Sequence, residues 1–310
     1  MQTLRIGLLW AIAFILIESV QFVYFGSLFQ SVSTYLFGFM VFGVISLAFI
    51  THSRISTPNQ IKIALRNKKD LLGLNVVTAL TFLAYLLSVG FIEPAIVYTI
   101  SAGVMPIAAW LSQVLGISAK KRSVNGLELA GMLFLFASIV FLSVITIQGA
   151  SGFVREGANL AHWGVALAIA DGVLFTWMLV YSENLDHAGV SPNVVFGLRF
   201  PIFVLLSGMV MFSGFDPIPV PSLNELLIIL LLGLLLTVPH LFALQKSIAY
   251  VSTAAISALI TLGPFVIFVL QLIEGRVAYS DATLTGLIIY AIGSALVIFG
   301  SVKSQPQQLD

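Results

Sequence analysis

The chain has 310 residues, of which 59% are hydrophobic and only 9% charged, with a net charge of +1 and a mean hydropathy of +1.07. A soluble domain carries about 25% charged residues, and no soluble core of this length hides so much apolar side chain, so a water-soluble globule is excluded. The absence of cysteine removes disulfides, thiolate catalysis and cysteine-held metals, and no basic stripe follows nucleic-acid phosphates.

A membrane-crossing helix needs about 20 mostly apolar residues. Ten runs meet that need, in order Ile6–Phe25, Val32–Thr51, Leu71–Phe91, Pro94–Gly116, Gly126–Ile147, Ala161–Ser182, Asn193–Ser213, Glu225–Lys246, Thr253–Ile273 and Ala282–Ser301. The first follows the N-terminal Met-Gln-Thr-Leu-Arg directly, with no small-residue cleavage site, and reads as a retained span rather than a removed signal. Pro94 stands where a proline starts a helix well, so Glu93-Pro94 is a tight corner between the third and fourth spans. Tyr250 to Ser252 is a similarly short joint before the ninth. In His52–Asp70, the apolar Ile61, Ile63, Ala64 and Leu65 among basic residues fit either a short surface helix or a polar loop.

Lys and Arg set the orientation. With the N-terminus inside, the inner ends carry Arg5, Arg54, Lys62, Arg66, Lys68, Lys69, Lys120, Lys121, Arg122, Lys246 and Lys303. The outer loops carry Arg155 and Arg276. Both termini are therefore expected in the cytoplasm, with the chain multi-pass in the cell (inner) membrane.

The chain also repeats itself. Pro106 is followed seven residues later by Gln113, and Pro264 seven residues later by Gln271. A similar offset relates Gly7, Ala11, Ile12, Ala13 and Tyr24 to Gly164, Ala168, Ile169, Ala170 and Tyr181. Each copy holds five spans, an odd number, so the second crosses in the opposite sense. The expected architecture is an all-α integral membrane protein of ten transmembrane helices in two inverted five-helix repeats, residues 1–150 and 151–310, joined outside by Gln148–Leu160.

This pattern resembles the ten-helix EamA-type transporters of the drug/metabolite transporter superfamily. The likeness rests on Ala243-Leu244 ahead of Ala254-Ala255-Ile256-Ser257, then Pro264, Glu274-Gly275 and Gly286, Gly293 and Gly300 in the last span. A weaker first copy has Ala84-Tyr85, Ala95, Ser101, Pro106 and Gly131, and Arg199-Phe200 fits an Arg habitual in the seventh span. Met40 and Gly116 depart from the pattern, standing where a matching Arg and a counterpart of Glu274 are expected. The resemblance implies a bundle around a central cavity and export or exchange of small metabolites.

Ionisable groups inside spans are few and costly, which makes Glu18, Asp171, Arg199 and His240 candidates for substrate binding or coupling. At about 1.5 Å per residue, Glu18 and Asp171 fall near mid-membrane and Arg199 and His240 nearer the inner surface. Asp171 suits a substrate amine, a coupling proton or a pair with Arg199. Glu18 lies one turn from Phe14, the position that the repeat aligns with Asp171. Arg199 suits either a substrate carboxylate or a snorkelling structural role, and His240, after Pro239, either titration or a satisfied structural bond. Tyr24, Trp110, Trp177, Tyr181, Tyr98 and Tyr85 are candidate walls for a flat or cationic substrate. Pro106 and Pro264, read as mid-span prolines, form with Gln113 and Gln271 a pair of hinge candidates facing the cavity. The seven-residue spacing of Gly286, Gly293 and Gly300 argues for close helix packing.

No nucleotide-binding loop, metalloprotease motif or repeated filter loop occurs, so neither cofactor nor metal is expected. The expected function is secondary active or facilitative transport, chiefly export, of a small metabolite, amino acid or drug-like compound by alternating access; exchange against protons and downhill facilitation fit the sequence equally. The partners expected are that small molecule and the lipid bilayer. A membrane-embedded enzyme and a non-transporting scaffold or sensor are the alternatives; an enzyme needs converging acid, base or metal ligands that the spacing does not show.

Overall fold

The computed structural model describes residues 2–114, 124–156, 159–216, 218–250 and 261–304. Helices account for nearly all of them, because a chain in hydrocarbon must satisfy every backbone group internally. In order they are α1 Gln2–Leu28, α2 Thr34–Ser56, α3 Pro58–Arg66, α4 Lys68–Phe91, α5 Pro94–Val114, α6 Gly126–Ile147, α7 Leu160–His187, α8 Pro192–Ser213, α9 Leu223–Tyr250, α10 Gly263–Glu274 and α11 Asp281–Ser304. Nine are long and apolar enough to cross a membrane; α10 is shorter, and the stretch before it, including most of the eighth-to-ninth joint, lies outside the described residues.

The loop alternative at His52–Asp70 resolves as a helix. In α3, Ala64 is buried while Lys62 and Arg66 stay in solvent, and Thr57-Pro58 starts it with proline in the first turn. The helix α8 is not continuous: it stops at Leu198 and resumes at Pro201. Proline has no N–H to give the preceding turn, and Asn75 of α4 repairs the gap, donating to the Leu198 carbonyl (2.7 Å) and accepting from Ile202 N (3.4 Å). A π turn, Gly38–Phe42, interrupts α2, where a side chain on Gly38 would meet Phe203 and Ser207 at less than 3 Å.

Residues 56–68, 187–192 and the described ends of α1 at Gln2 and α11 at Ser304 lie at one end of the bundle, the termini face; the corner at Glu93, residues 148–156 and residues 275–281 lie at the other, the linker face. The main packing partners are α4 with α7, α1 with α9, α5 with α7, α1 with α10, α6 with α11, α2 with α8, and α5 with α10. The core between α1, α2, α4 and α8 is aromatic, with Phe25, Phe37, Phe42, Phe200 and Phe203 fully buried and edge-on contacts such as Phe42–Phe203 at 5.2 Å.

Small residues set the α6–α11 distance, as the spacing of Gly286, Gly293 and Gly300 argues. A Cβ on Gly131 would lie 2.6 Å from Val297 N, and one on Gly293 2.8 Å from Leu135 N, so the two backbones touch. Ser138 Oγ donates to the Gly286 carbonyl (2.9 Å) and Asn125 Nδ2 to the Gly300 carbonyl (2.7 Å), binding the ends of the same crossing.

Candidate functional site

Two of the four ionisable candidates converge on one face of α5. Tyr98 and Ser101 are three residues apart there, so their side chains lie one above the other, about 4.5 Å apart along the axis. The Tyr98 hydroxyl donates to Glu18 Oε2 of α1 (3.1 Å), and the Ser101 hydroxyl to Asp171 Oδ2 of α7 (2.5 Å). One strip of α5 thus holds a carboxylate from each half of the chain. Asp171 is 5% exposed, and Gly172 beside it would meet the Ser101 carbonyl at 2.4 Å if it carried a Cβ, so α7 and α5 are in backbone contact at this depth.

The helix α9 closes the same cluster. His240 Nε2 is 3.7 Å from Glu18 Oε1, beyond hydrogen-bond range, and the imidazole stacks on Phe14 at 4.9 Å. The Glu18 and His240 side chains keep 17% and 16% exposure, so this side of the cluster is not dry. Tyr85 of α4 completes it. Its ring lies 4.8 Å from Phe22, which in turn meets Tyr98 at 5.0 Å, and its hydroxyl is within electrostatic reach of both Glu18 and Asp171. Among the described residues that hydroxyl is buried without a hydrogen-bond partner. Tyr290 of α11, with its hydroxyl bonded to Ser294, is in similar reach of Glu18. Among the described residues no group of three or more His, Asp or Glu is placed to hold a metal ion.

The other candidates lie elsewhere. Arg199 is not Asp171's partner: it sits in the break of α8, its guanidinium over Phe196 (4.5 Å) and Phe200 (4.7 Å). Trp177 donates to Ser112 Oγ (3.1 Å), and Tyr181 fills the space that Gly73 leaves free; both pack in the cluster around Leu74, Met178 and Leu185 near α3. Six and ten residues beyond Asp171 on a helix running to the termini face, they are too far along to share its site. Tyr24 meets Phe25, and Trp110 is exposed at the rim.

The hinge pair is corrected. Pro106 does lie inside α5, but Pro264 is in the first turn of α10, where a proline interrupts nothing. The two glutamines also differ. Gln113 borders, with Pro106, Trp110, Glu128 and Ser301, a crevice of about 120 Å³ at the termini face. Gln271 is wholly buried and faces no cavity: its Nε2 donates to Glu93 Oε1, and its Oε1 accepts from Ala95 N (3.1 Å).

Glu93 is the group that sequence reading passed over as part of a corner. It is 0% exposed, and its Oε2 accepts from Gly152 N (2.8 Å) and Thr283 Oγ1 (2.9 Å). One carboxylate therefore joins the α4–α5 corner, the inter-half connection, α10 and α11. Burial raises its pKa above the usual carboxylate range, against the bonds from Gly152, Gln271 and Thr283, which lower it. The connection is strapped across the same end by Arg155 N to the Phe91 carbonyl (2.8 Å) and Ala278 N to the Gly152 carbonyl (3.0 Å). Nearby, Arg276 stacks on Phe153 (4.6 Å) and pairs with Glu274 (3.5 Å); burial lowers its pKa, and the carboxylate opposes that shift. The signal for Glu93 was its position before a helix-starting proline in a ten-residue apolar setting, where a charged residue needs partners.

No protein-family model matches the chain, and no curated protein matches it. Solved structures do. One, described only as "Crystal structure of protein", superposes with a TM-score of 0.63 over 97% of this chain and 98% of its own, at 17% identity. That likeness shows a shared fold over the whole length.

Proposed function

We propose that this chain is a ten-span transporter of small organic molecules, built from two inverted five-span halves that alternate access to a central site, in the manner of the EamA-type drug/metabolite transporters that its sequence resembles. The observation that carries the reading is that Glu18 and Asp171, one acid from each half, are both held by the Tyr98–Ser101 strip of α5. Buried acids at mid-membrane are expensive, and a fold keeps them where a cargo or a proton uses them.

The packing supports the inverted repeat. Exchanging the first five spans for the second five turns α4–α7 into α9–α1 and α5–α7 into α10–α1, and returns α6–α11, α2–α8 and α5–α10 to themselves; all of these pairs pack. Among the described residues this reading takes the nine long apolar helices and the shorter α10 as its spans. The excess of Lys and Arg at the termini face supports placing that face in the cytoplasm.

In this reading the linker face is closed by the Glu93–Gln271–Thr283 network, and Pro106, which withholds a backbone hydrogen bond from α5, lets the lower half of that helix bend when the termini face opens. Because the strip holding both acids lies on α5 just above Pro106, the two acids stay together while the lower half bends. Protons compete with cargo for the two carboxylates, which gives exchange.

The test is flux in proteoliposomes. The native chain is expected to move radiolabelled amines or amino acids down their gradients, and Asp171→Asn and Glu18→Gln to lose at least tenfold in rate, as about 1.4 kcal/mol at a binding step gives. Normal flux in both variants across pH overturns the reading.

A further inference from the structure

Tyr85 is an anomaly of this core. Its hydroxyl is buried, the residue is 9% exposed, and among the described residues no hydrogen-bond partner reaches it. A buried polar atom without a partner is costly to keep, and phenylalanine would fill the same space without that cost. The hydroxyl also stands in a particular place. Both Glu18 and Asp171 are within electrostatic reach of it, and each acid is otherwise held by a single neutral hydroxyl, from Tyr98 and Ser101. Among the described residues, the basic group nearest Glu18 is His240, at 3.7 Å, which makes no hydrogen bond through Nε2. Arg199 is turned to Phe196 and Phe200 instead. Among the described residues the centre therefore has acceptors in excess, the unused Tyr85 hydroxyl, and the rings of Phe14, Phe22 and Tyr98 beside it.

We propose that Glu18, Asp171 and Tyr85 form one binding site for an amine-bearing organic cation, with the Tyr85 hydroxyl as the group that the cargo completes. An ammonium has donors only. It can donate to a carboxylate of each half and to the Tyr85 oxygen, while the Tyr85 proton turns to the nearer carboxylate. A carboxylate-bearing cargo without an amine finds no partner of opposite charge there except His240. Since a proton and an ammonium occupy the same carboxylates, acidification weakens cargo binding. The inference deepens the transport reading by naming the cargo class, and it stands or falls on binding rather than flux.

The experiment is calorimetric titration of the full chain in lipid nanodiscs at pH 7.5, with three probes of one shape: 2-phenylethylamine, 2-phenylethanol and 3-phenylpropionate. The amine alone is expected to bind. Asp171→Asn and Glu18→Gln each weaken it about tenfold or more, the scale of one charge-assisted hydrogen bond. Tyr85→Phe weakens it severalfold while its unfolding temperature stays at or above the native value; this variant separates the site from a folding defect, because a purely structural Tyr85 gives the same gain in stability with unchanged binding. Binding of the alcohol or the carboxylate as tightly as the amine, amine binding unchanged in all three variants, or no amine binding at all overturns the inference. Amine binding without flux overturns the transport reading and leaves the site; flux of another compound without amine binding does the reverse.

Discussion

Gln271 Nε2 donates to Glu93 Oε1 while Gln271 Oε1 accepts from Ala95 N, so one buried amide of α10 holds both the acid and the first turn of α5. The Ala95 N–H fixes which end of the amide is which, and leaves the NH₂ for the carboxylate.

Replacing Gln271 by Leu orphans two buried groups at once. Hydrogen bonds to charged groups are worth about 1.5–3 kcal/mol each, and a stranded carboxylate adds desolvation, so Gln271→Leu is expected to destabilise by about 3 kcal/mol. A lowered thermal unfolding midpoint in detergent checks it; a midpoint equal to the native one removes the network from the account of stability.

The pH dependence of Glu93 has a definite sign. Its folded-state pKa is raised above the ordinary 4.5 by burial. The folded chain therefore holds the proton more tightly than the unfolded chain, and the contribution of Glu93 to stability is fully present below 4.5 and lost as pH rises through the raised value. The native unfolding midpoint, measured against Glu93→Gln, is expected to fall from pH 4.5 upward. A difference that rises over that range contradicts the assignment.

At the α6–α11 crossing, Gly131→Ala places a methyl 2.6 Å from Val297 N, against backbone that cannot step aside. Overpacking of this kind costs about 1–3 kcal/mol. Gly126→Ala, on the same helix with nothing within 4 Å, is the control and is expected to be neutral. Equal unfolding midpoints for the two variants rule out a close crossing.

Pro106→Ala returns a hydrogen-bond donor to the interior of α5. Stability is expected to rise by on the order of 1 kcal/mol while flux falls, because a straighter α5 resists bending. A variant that is stabilised and transports at the native rate would remove the hinge from the mechanism.

Arg199→Lys distinguishes packing from cargo binding. Lysine keeps the charge but loses the planar stacking on Phe196 and Phe200, worth about 0.5–2 kcal/mol. A lower unfolding midpoint with native amine affinity is expected; native stability with lost affinity would move Arg199 into the site.

The amino-acid sequence determined the membrane-spanning helices themselves. Gly126–Ile147 was read to the residue, since a span is a local matter of about 20 apolar residues and helical backbone bonds. It also marked Glu18 and Asp171, because a charge inside an apolar run is visible without knowing its neighbours. Partners are a different kind of information. That Asp171 takes Ser101 rather than Arg199, that Gln271 clamps Glu93 instead of facing a cavity, and that Trp177 and Tyr181 leave the centre depends on which faces of separate helices turn toward each other. Glu93 shows the limit most plainly: between two spans it reads as a solvated corner, and only the arrival of Gly152, Gln271 and Thr283 from residues 59, 178 and 190 positions away makes it a buried junction. The orphaned hydroxyl of Tyr85 is likewise a tertiary fact, since a missing partner is defined only once every other side chain has been placed.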